Sequence, residues 1–268
     1  MTELTLDEVK RIQVEILSAV HSFCCDNNIT YSVACGTLLG AIRHKGYIPW
    51  DDDIDIYLRR EDFERLEELF PESIYSRYSF VSLNRSRKWG RPYGKIYDSK
   101  TLFYDGEEKT EDIGINIDVY PIDKVPDNYR KWQIYNKLRR GIIHLYEVKY
   151  IPLSTKRGFF KNSILILLKG LTIFFSKRQM ALFVSRIAQL FNNKSYSYSF
   201  ENVQGMLVKK RFPSDLFNNI VEIPFEEIMV MAFDGYDRYL VNAYGDYMKL
   251  PPESKRVSHH IFKAYYKG

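Results

Sequence analysis

The feature that most constrains this chain is a set of carboxylates at alternate positions of an extended segment. From Asp53 to Leu58, residues Ile54, Ile56 and Leu58 fall on one side, and Asp53, Asp55 and Tyr57 on the other. That is the period of a strand with one buried face. Asp51 continues the acidic spacing. A second segment, 113–120, alternates in the same way and sets Asn116 and Asp118 on a common face. Asp118 can therefore meet Asp53 and Asp55 across a sheet. Taken alone, the acidic run 51–55 also suits a solvated loop.

The segments around these strands alternate between helix and strand patterns. Thr5 and Glu8 have capping-box spacing, and Val9, Ile12, Ile16, Val20 and Phe23 then recur every three or four residues, which predicts an amphipathic helix over 6–25. A strand is expected over 29–34. Gly36 and Gly40 bracket Thr37, Leu38 and Leu39, predicting a backbone turn that enters a short helix through Ile42. A charged helix follows over 61–70, and further strands are expected within 79–104. Beyond Asp127 the pattern is helical, with a loop expected at 195–199.

A net charge of +5 conceals an asymmetry. Residues 130–200 hold 14 Lys or Arg against one acid, Glu147, while the rest hold 25 basic and 33 acidic groups. Such a block suits an anionic partner, a phosphate-bearing substrate or a membrane surface, with a plain solvated surface as the alternative. Within it, 158–175 is apolar but divided by Lys161 and Lys169, too short in its unbroken pieces to span a bilayer. A helix packed in the protein's own core is the favoured expectation. An interfacial helix with snorkelling lysines, flanked by Lys156, Arg157, Lys177 and Arg178, is the alternative. The N-terminal residues lack a signal-peptide pattern, and three cysteines at 24, 25 and 35 form no disulfide or zinc framework. A cytoplasmic protein, peripheral on the membrane at most, is expected, with no nucleic-acid partner.

The stretch 34–56 joins the glycine-bounded segment, a basic loop and the acidic strand. Glycines let a backbone approach a phosphate closely, and amides opening a helix can donate to its oxygens; Gly36, Thr37 and Gly40 are the candidates. Asp53 and Asp55, with Asp51 outside them and Asp118 as a third carboxylate, offer hard oxygen ligands to divalent cations. Arg43, Lys45 and Lys95 are candidate partners of phosphate oxygens. His259 and His260, near Arg256, are expected to face solvent. Tyr47, Trp50, Tyr57, Trp89 and Tyr93 lie near the motifs and could form a cage for a quaternary ammonium, with ordinary packing expected for any one of them.

The run GTLLGAIRHKGYIPWDDDIDIY at 36–57 resembles, nearly residue for residue, the signature of the LicD family of phosphocholine and related phosphoryl-group transferases. Further similar blocks are Tyr93-Gly94-Lys95-Ile96-Tyr97-Asp98, then Ile117-Asp118-Val119-Tyr120-Pro121-Ile122-Asp123, and near the end Tyr244-Gly245-Asp246-Tyr247-Met248 with Leu250-Pro251-Pro252. The resemblance covers about 5–125 and 235–262. It implies an α/β (α+β) nucleotidyltransferase-like mixed sheet core, with Asp53 and Asp55 as metal ligands, Asp118 as third ligand or base, and Gly36 and Thr37 near the donor phosphates. The expected organisation is a catalytic core over 1–126, a helical basic lobe over 127–215, and a C-terminal segment over 216–268 that completes the core.

What the resemblance implies for activity is transfer of phosphocholine from a CDP-activated alcohol, CDP-choline first. The acceptor would be a hydroxyl of a cell-surface glycan or its lipid-linked precursor, with Mg²⁺ or Mn²⁺ and release of CMP. Glycerol phosphate, ribitol phosphate or phosphoethanolamine are the alternative groups. Nucleotidyl transfer to a small molecule or protein, and a noncatalytic role in glycan assembly, are alternative activities.

Overall fold

The opening helix forms because its capping box closes: the Thr5 hydroxyl accepts from the Glu8 amide, and the Glu8 carboxylate accepts from the Thr5 amide at 2.8 Å. The computed structural model describes residues 2–105, 113–154, 158–203, 211–257 and 262–267. In chain order the first half comprises α1 (Leu6–Asp26), β1 (Tyr31–Val33), α2 (Cys35–His44), β2 (Asp55–Arg59), α3 (Arg60–Leu69), β3 (Tyr78–Val81), β4 (Gly94–Asp98), β5 (Thr101–Asp105) and β6 (Asn116–Val125). The second half comprises α4 (Tyr129–Glu147), α5 (Phe159–Leu171), α6 (Lys177–Ala188), β7 (Tyr198–Glu201), β8 (Phe212–Pro213), β9 (Ile220–Phe225), β10 (Ile228–Phe233), α7 (Tyr236–Tyr244) and β11 (Phe262–Tyr266).

The main sheet is mixed, in the order β1-β2-β6-β4-β3, with β2 and β6 parallel and the other pairs antiparallel. The second half of β6 pairs with β7, which pairs with β8. Helices with strands in one mixed sheet make the α+β class expected from the sequence. The buried side of α1, with Ile12, Ile16 and Val20, joins the core formed with Ile56, Ile96, Ile117 and Val119 of the central strands. The chain end returns to this core. The β9–β10 hairpin docks on β1, where the Phe233 amide donates to the Ser32 hydroxyl at 3.1 Å, and β11 pairs with β5. Leu4 then ties the N-terminal segment to Ala264.

Three sequence expectations need correction. The glycine-bounded segment is not a turn: α2 begins at Cys35 and contains both Gly36 and Gly40. The unusual backbone conformation falls one residue earlier, on Cys35 at φ 47°, a positive value rarely adopted by residues with a Cβ. The expected loop at 195–199 ends in β7. Most consequentially, α5 is not a core helix. Leu165 is its one buried residue, whereas Phe159 is 89% exposed and Phe160, Ile166, Leu167 and Leu171 are exposed as well. No helix among the described residues is long and apolar enough to cross a membrane.

The helices around α5 join the main core through Ile143 of α4 and Met180, Ala181 and Val184 of α6, and polar contacts to loop 83–90 add to this packing. Arg178 donates to the carbonyls of Ser86 and Leu83 at 2.8 and 2.7 Å, and the hydroxyls of Tyr146 and Tyr150 donate to the Gly90 carbonyl. A small second core of Val125, Trp132, Tyr135 and Phe200 holds α4 against the end of β6 and β7.

Candidate active site

Strand register assembles the site. Asp55, first in β2, is the in-register partner of Asp118 in β6, and Asp118 is the in-register partner of Lys95 in β4. Side chains in register on adjacent strands share a face, so two carboxylates and an ammonium form one row across the sheet. Lys95 Nζ lies 2.6 Å from Asp118 Oδ1 and donates to Asn116 Oδ1 at 2.8 Å. The Tyr120 hydroxyl donates to the other Asp118 oxygen at 2.7 Å. Both oxygens of Asp118 therefore have protein partners.

The approach to β2 adds the remaining acids. Ligand oxygens of Asp51, Asp52 and Asp53 lie within 4.8 Å of one another. Burial, followed by the charges of Asp53, Asp118 and Asp51, holds the Asp55 carboxyl well above the usual carboxylate range. Burial pulls the Lys95 ammonium down, but the Asp118 charge overcomes it and leaves Lys95 above its ordinary value. Converging hard oxygen donors whose mutual repulsion is this large suit a divalent cation. Asp51, Asp52 and Asp53 are the acids whose oxygens come together closely enough for that, while Asp55 and Asp118, also expected as ligands, stand outside this close group and line the cavity with Asp53.

A cavity of about 320 Å³ opens on this row, lined by Asp53, Asp55, Lys95 and Asp118 among the expected residues. Gln13, Arg91, Phe103 and Phe262 also line it and were not anticipated. Gln13 reaches from α1 to donate to the carbonyls of Asp52 and Asn116, and its own carbonyl accepts from Tyr47. A glutamine at an apolar-stripe position of α1, four residues after Val9 and three before Ile16, was the available signal. Phe103 and Phe262 stack with ring centroids 5.2 Å apart, brought together by pairing of β5 with β11. Of the aromatic residues considered for a cage, Tyr93 lines the cavity, while Tyr57 and Trp89 are buried in the core. A larger groove of about 890 Å³ along α1 is lined by none of the carboxylates of this row or of 51–53.

The remaining expected phosphate partners do not line this cavity. Thr37 is buried, and its hydroxyl accepts from the Asp55 amide at 2.9 Å, so it fixes the start of β2. Arg43 donates to the Tyr247 carbonyl at 2.7 Å, bracing the C-terminal segment, and Lys45 is the left-handed C-cap of α2. His259, His260, Lys156 and Arg157 lie outside the described residues.

The two glycines of α2 differ in what surrounds them. A methyl group at Gly40 would collide with the backbone carbonyl of Gly46, whereas one at Gly36 would meet only the carboxylate end of Asp51. Gly40→Ala is therefore expected to lose about 1–3 kcal/mol of stability, the usual cost of overpacking. Gly36→Ala should unfold near wild type but disturb Asp51. Chemical denaturation of both variants tests this contrast, and equal losses would contradict it.

Three similarities to known proteins accord with this geometry. Residues 28–159 match the model described as LicD/FKTN/FKRP, nucleotidyltransferase domain. The chain is 32% identical over 267 residues to the lipopolysaccharide cholinephosphotransferase LicD of Haemophilus influenzae, covering 99% of each protein. An uncharacterized protein of Rickettsia prowazekii is 34% identical over 138 residues, covering 49% of this chain and 48% of its own length. With the signature at 36–57 shaping the acidic row and similarity running end to end, this chain belongs to the LicD family.

Proposed function

We propose that this protein transfers phosphocholine from CDP-choline to a hydroxyl of a cell-surface glycan or its lipid-linked precursor and releases CMP. The observation that carries the proposal is end-to-end similarity, at 32% identity, to a lipopolysaccharide cholinephosphotransferase. The acidic row supplies a compatible chemistry. Asp51, Asp53 and Asp55 would hold Mg²⁺, or Mn²⁺ in its place, and the bound cation would polarise phosphoryl oxygens and offset charge on the departing nucleotide.

The chain's own side chains perform the positioning. Lys95 holds one Asp118 oxygen and Tyr120 the other, so the third carboxylate stands in a fixed orientation between Asp55 and Lys95. Arg91 and Lys95 bring positive charge to a cavity whose other charged residues are all acids, as an anionic donor requires. Gln13 locks the backbone of Asp52 and thereby the approach of the acidic segment. The attacking hydroxyl oxygen would bond to the choline-bearing phosphorus as the bond from that phosphorus to the CMP oxygen breaks. A lipid-linked acceptor would be met at the cytoplasmic face of the membrane.

CMP release from CDP-choline, CDP-ethanolamine, CDP-glycerol and CDP-ribitol, with Mg²⁺ or Mn²⁺ and a glycan acceptor, tests this assignment. Turnover of CDP-choline, absent in Asp53→Ala, is the expected result. Turnover of another donor would replace the transferred group, and a nucleotide mass left on the acceptor would overturn the reaction type.

A further inference from the structure

The row of apolar side chains along α5 faces outward. Phe160, Ile164, Leu167 and Leu171 are spaced i, i+4, i+7, i+11 and form one stripe of the helix, continued by Phe174, which is 90% exposed. Asn162, Leu165, Lys169 and Thr172 lie on the opposite side, and every one of them is buried or half-buried. Polarity is thus reversed relative to a surface helix of an ordinary globular protein. A contiguous exposed apolar surface of this kind is usually covered when the protein works.

Charge indicates what covers it. Lys161 is exposed on α5 itself, and Lys149 and Lys177 stand near Lys169 at its base. Burial, then repulsion from Lys169 and Lys177, lowers the Lys149 ammonium, which identifies a cationic cluster at the helix base. The surrounding residues, 130–200, carry 14 basic groups against one acid. Soluble protein partners of mixed charge do not explain both the apolar stripe and so one-sided a field. An anionic bilayer surface supplies a boundary for the stripe and phosphates for the ammonium groups.

We propose that α5 and the turn after it form a membrane-docking device that lies flat in the interface of an anionic phospholipid bilayer. Phe160, Ile164, Leu167, Leu171 and Phe174 insert, while the lysines contact lipid phosphates. The lobe's attachment gives the docking a consequence for catalysis: Tyr150 and Lys177, at the base of α5, adjoin Gly90 and Arg91, and Arg91 lines the catalytic cavity. Docking would therefore act directly on the segment that carries Arg91, one wall of the cavity. The docking itself stands on α5; its service to a lipid-linked acceptor rests on the phosphocholine-transfer assignment.

Flotation of the full chain with phosphatidylglycerol-containing vesicles, against pure phosphatidylcholine vesicles, tests the device without requiring turnover. Binding to the anionic vesicles is expected to weaken with salt and to fall at least tenfold in Leu167→Glu and in Phe160→Ser/Leu171→Ser. These positions are exposed, so both variants should retain the wild-type circular dichroism. Asp53→Ala should float like wild type, which separates docking from catalysis. Flotation unchanged by the α5 substitutions would overturn the proposal. So would light scattering showing a wild-type dimer that Leu167→Glu converts to monomer, since a second copy would then cover the stripe.

Discussion

Replacing Asp55 with Asn is expected to reduce CMP release by about 10²–10³-fold or more while raising the melting temperature of the metal-free protein. The activity loss follows from removing one member of the carboxylate set proposed to hold the cation, a preorganised electrostatic contribution of roughly that size. The gain in stability follows from the shift of this group. Burial first, then Asp53, Asp118 and Asp51, raises the Asp55 carboxyl in the folded state. An acid whose folded value exceeds its unfolded value destabilises the fold once pH passes the unfolded value, where the chain must accommodate an unfavourable charge. Asparagine keeps the shape and removes that charge. Each kcal/mol relieved should appear as roughly 2–4 °C in a chain of this size. Mg²⁺ at about 100 times its dissociation constant should stabilise the wild type by about 2.7 kcal/mol and the variant by much less. Thermal unfolding with and without Mg²⁺ measures both effects, and a variant that keeps its turnover and its Mg²⁺-dependent shift would sink the assignment of Asp55.

The site's local parts were legible in the sequence and its long-range parts were not. Alternation put Asp55 on the strand face, and the same period in 113–120 placed Asp118 where register sets it beside Asp55, whereas Asp53, expected on the same strand, precedes β2. The family signature supplied the order of the parts. Neither could reveal that Phe103 and Phe262 share the cavity, because that depends on β11 pairing with β5 some 160 residues earlier. Gly36 and Gly40 were read as turn residues from their usual conformational preference, but at Gly40 the need is close backbone approach to Gly46 inside a helix. The apolar stretch in the basic region was expected to pack inward because hydrophobicity alone does not specify which side of α5 meets the protein. Its lysines at 161 and 169 were the available sign, and Lys169 is half-buried on the inner side while Lys161 is exposed.

Asp123→Ala is expected to destabilise the protein by about 3–5 kcal/mol, although the residue does not line the cavity on the acidic row. Asp123 ends the similar run 117–123 and had no role assigned to it from sequence. Its carboxylate is buried in β6, where it accepts from Arg60 Nε at 2.8 Å, Arg60 Nη2 at 2.7 Å and Asn192 Nδ2 at 2.6 Å. This joins the first turn of α3, the central strand and the segment between α6 and β7. Burial lowers the Arg60 guanidinium, yet the Asp123 charge and hydrogen bonds raise it above its ordinary value overall. Alanine at position 123 would leave that guanidinium buried without its counter-charge, the mechanism by which breaking a buried pair becomes costly. Arg60→Ala should cost a similar amount for the converse reason. Arg60→Met/Asp123→Leu should recover much of the loss, because it removes both charges and leaves apolar volume in their place. Urea unfolding of the four proteins, with unchanged denaturant slopes, provides the comparison. Single substitutions costing less than about 1 kcal/mol, or a double variant no better than the worse single one, would show that the clamp holds the lobe to the core by packing rather than by charge.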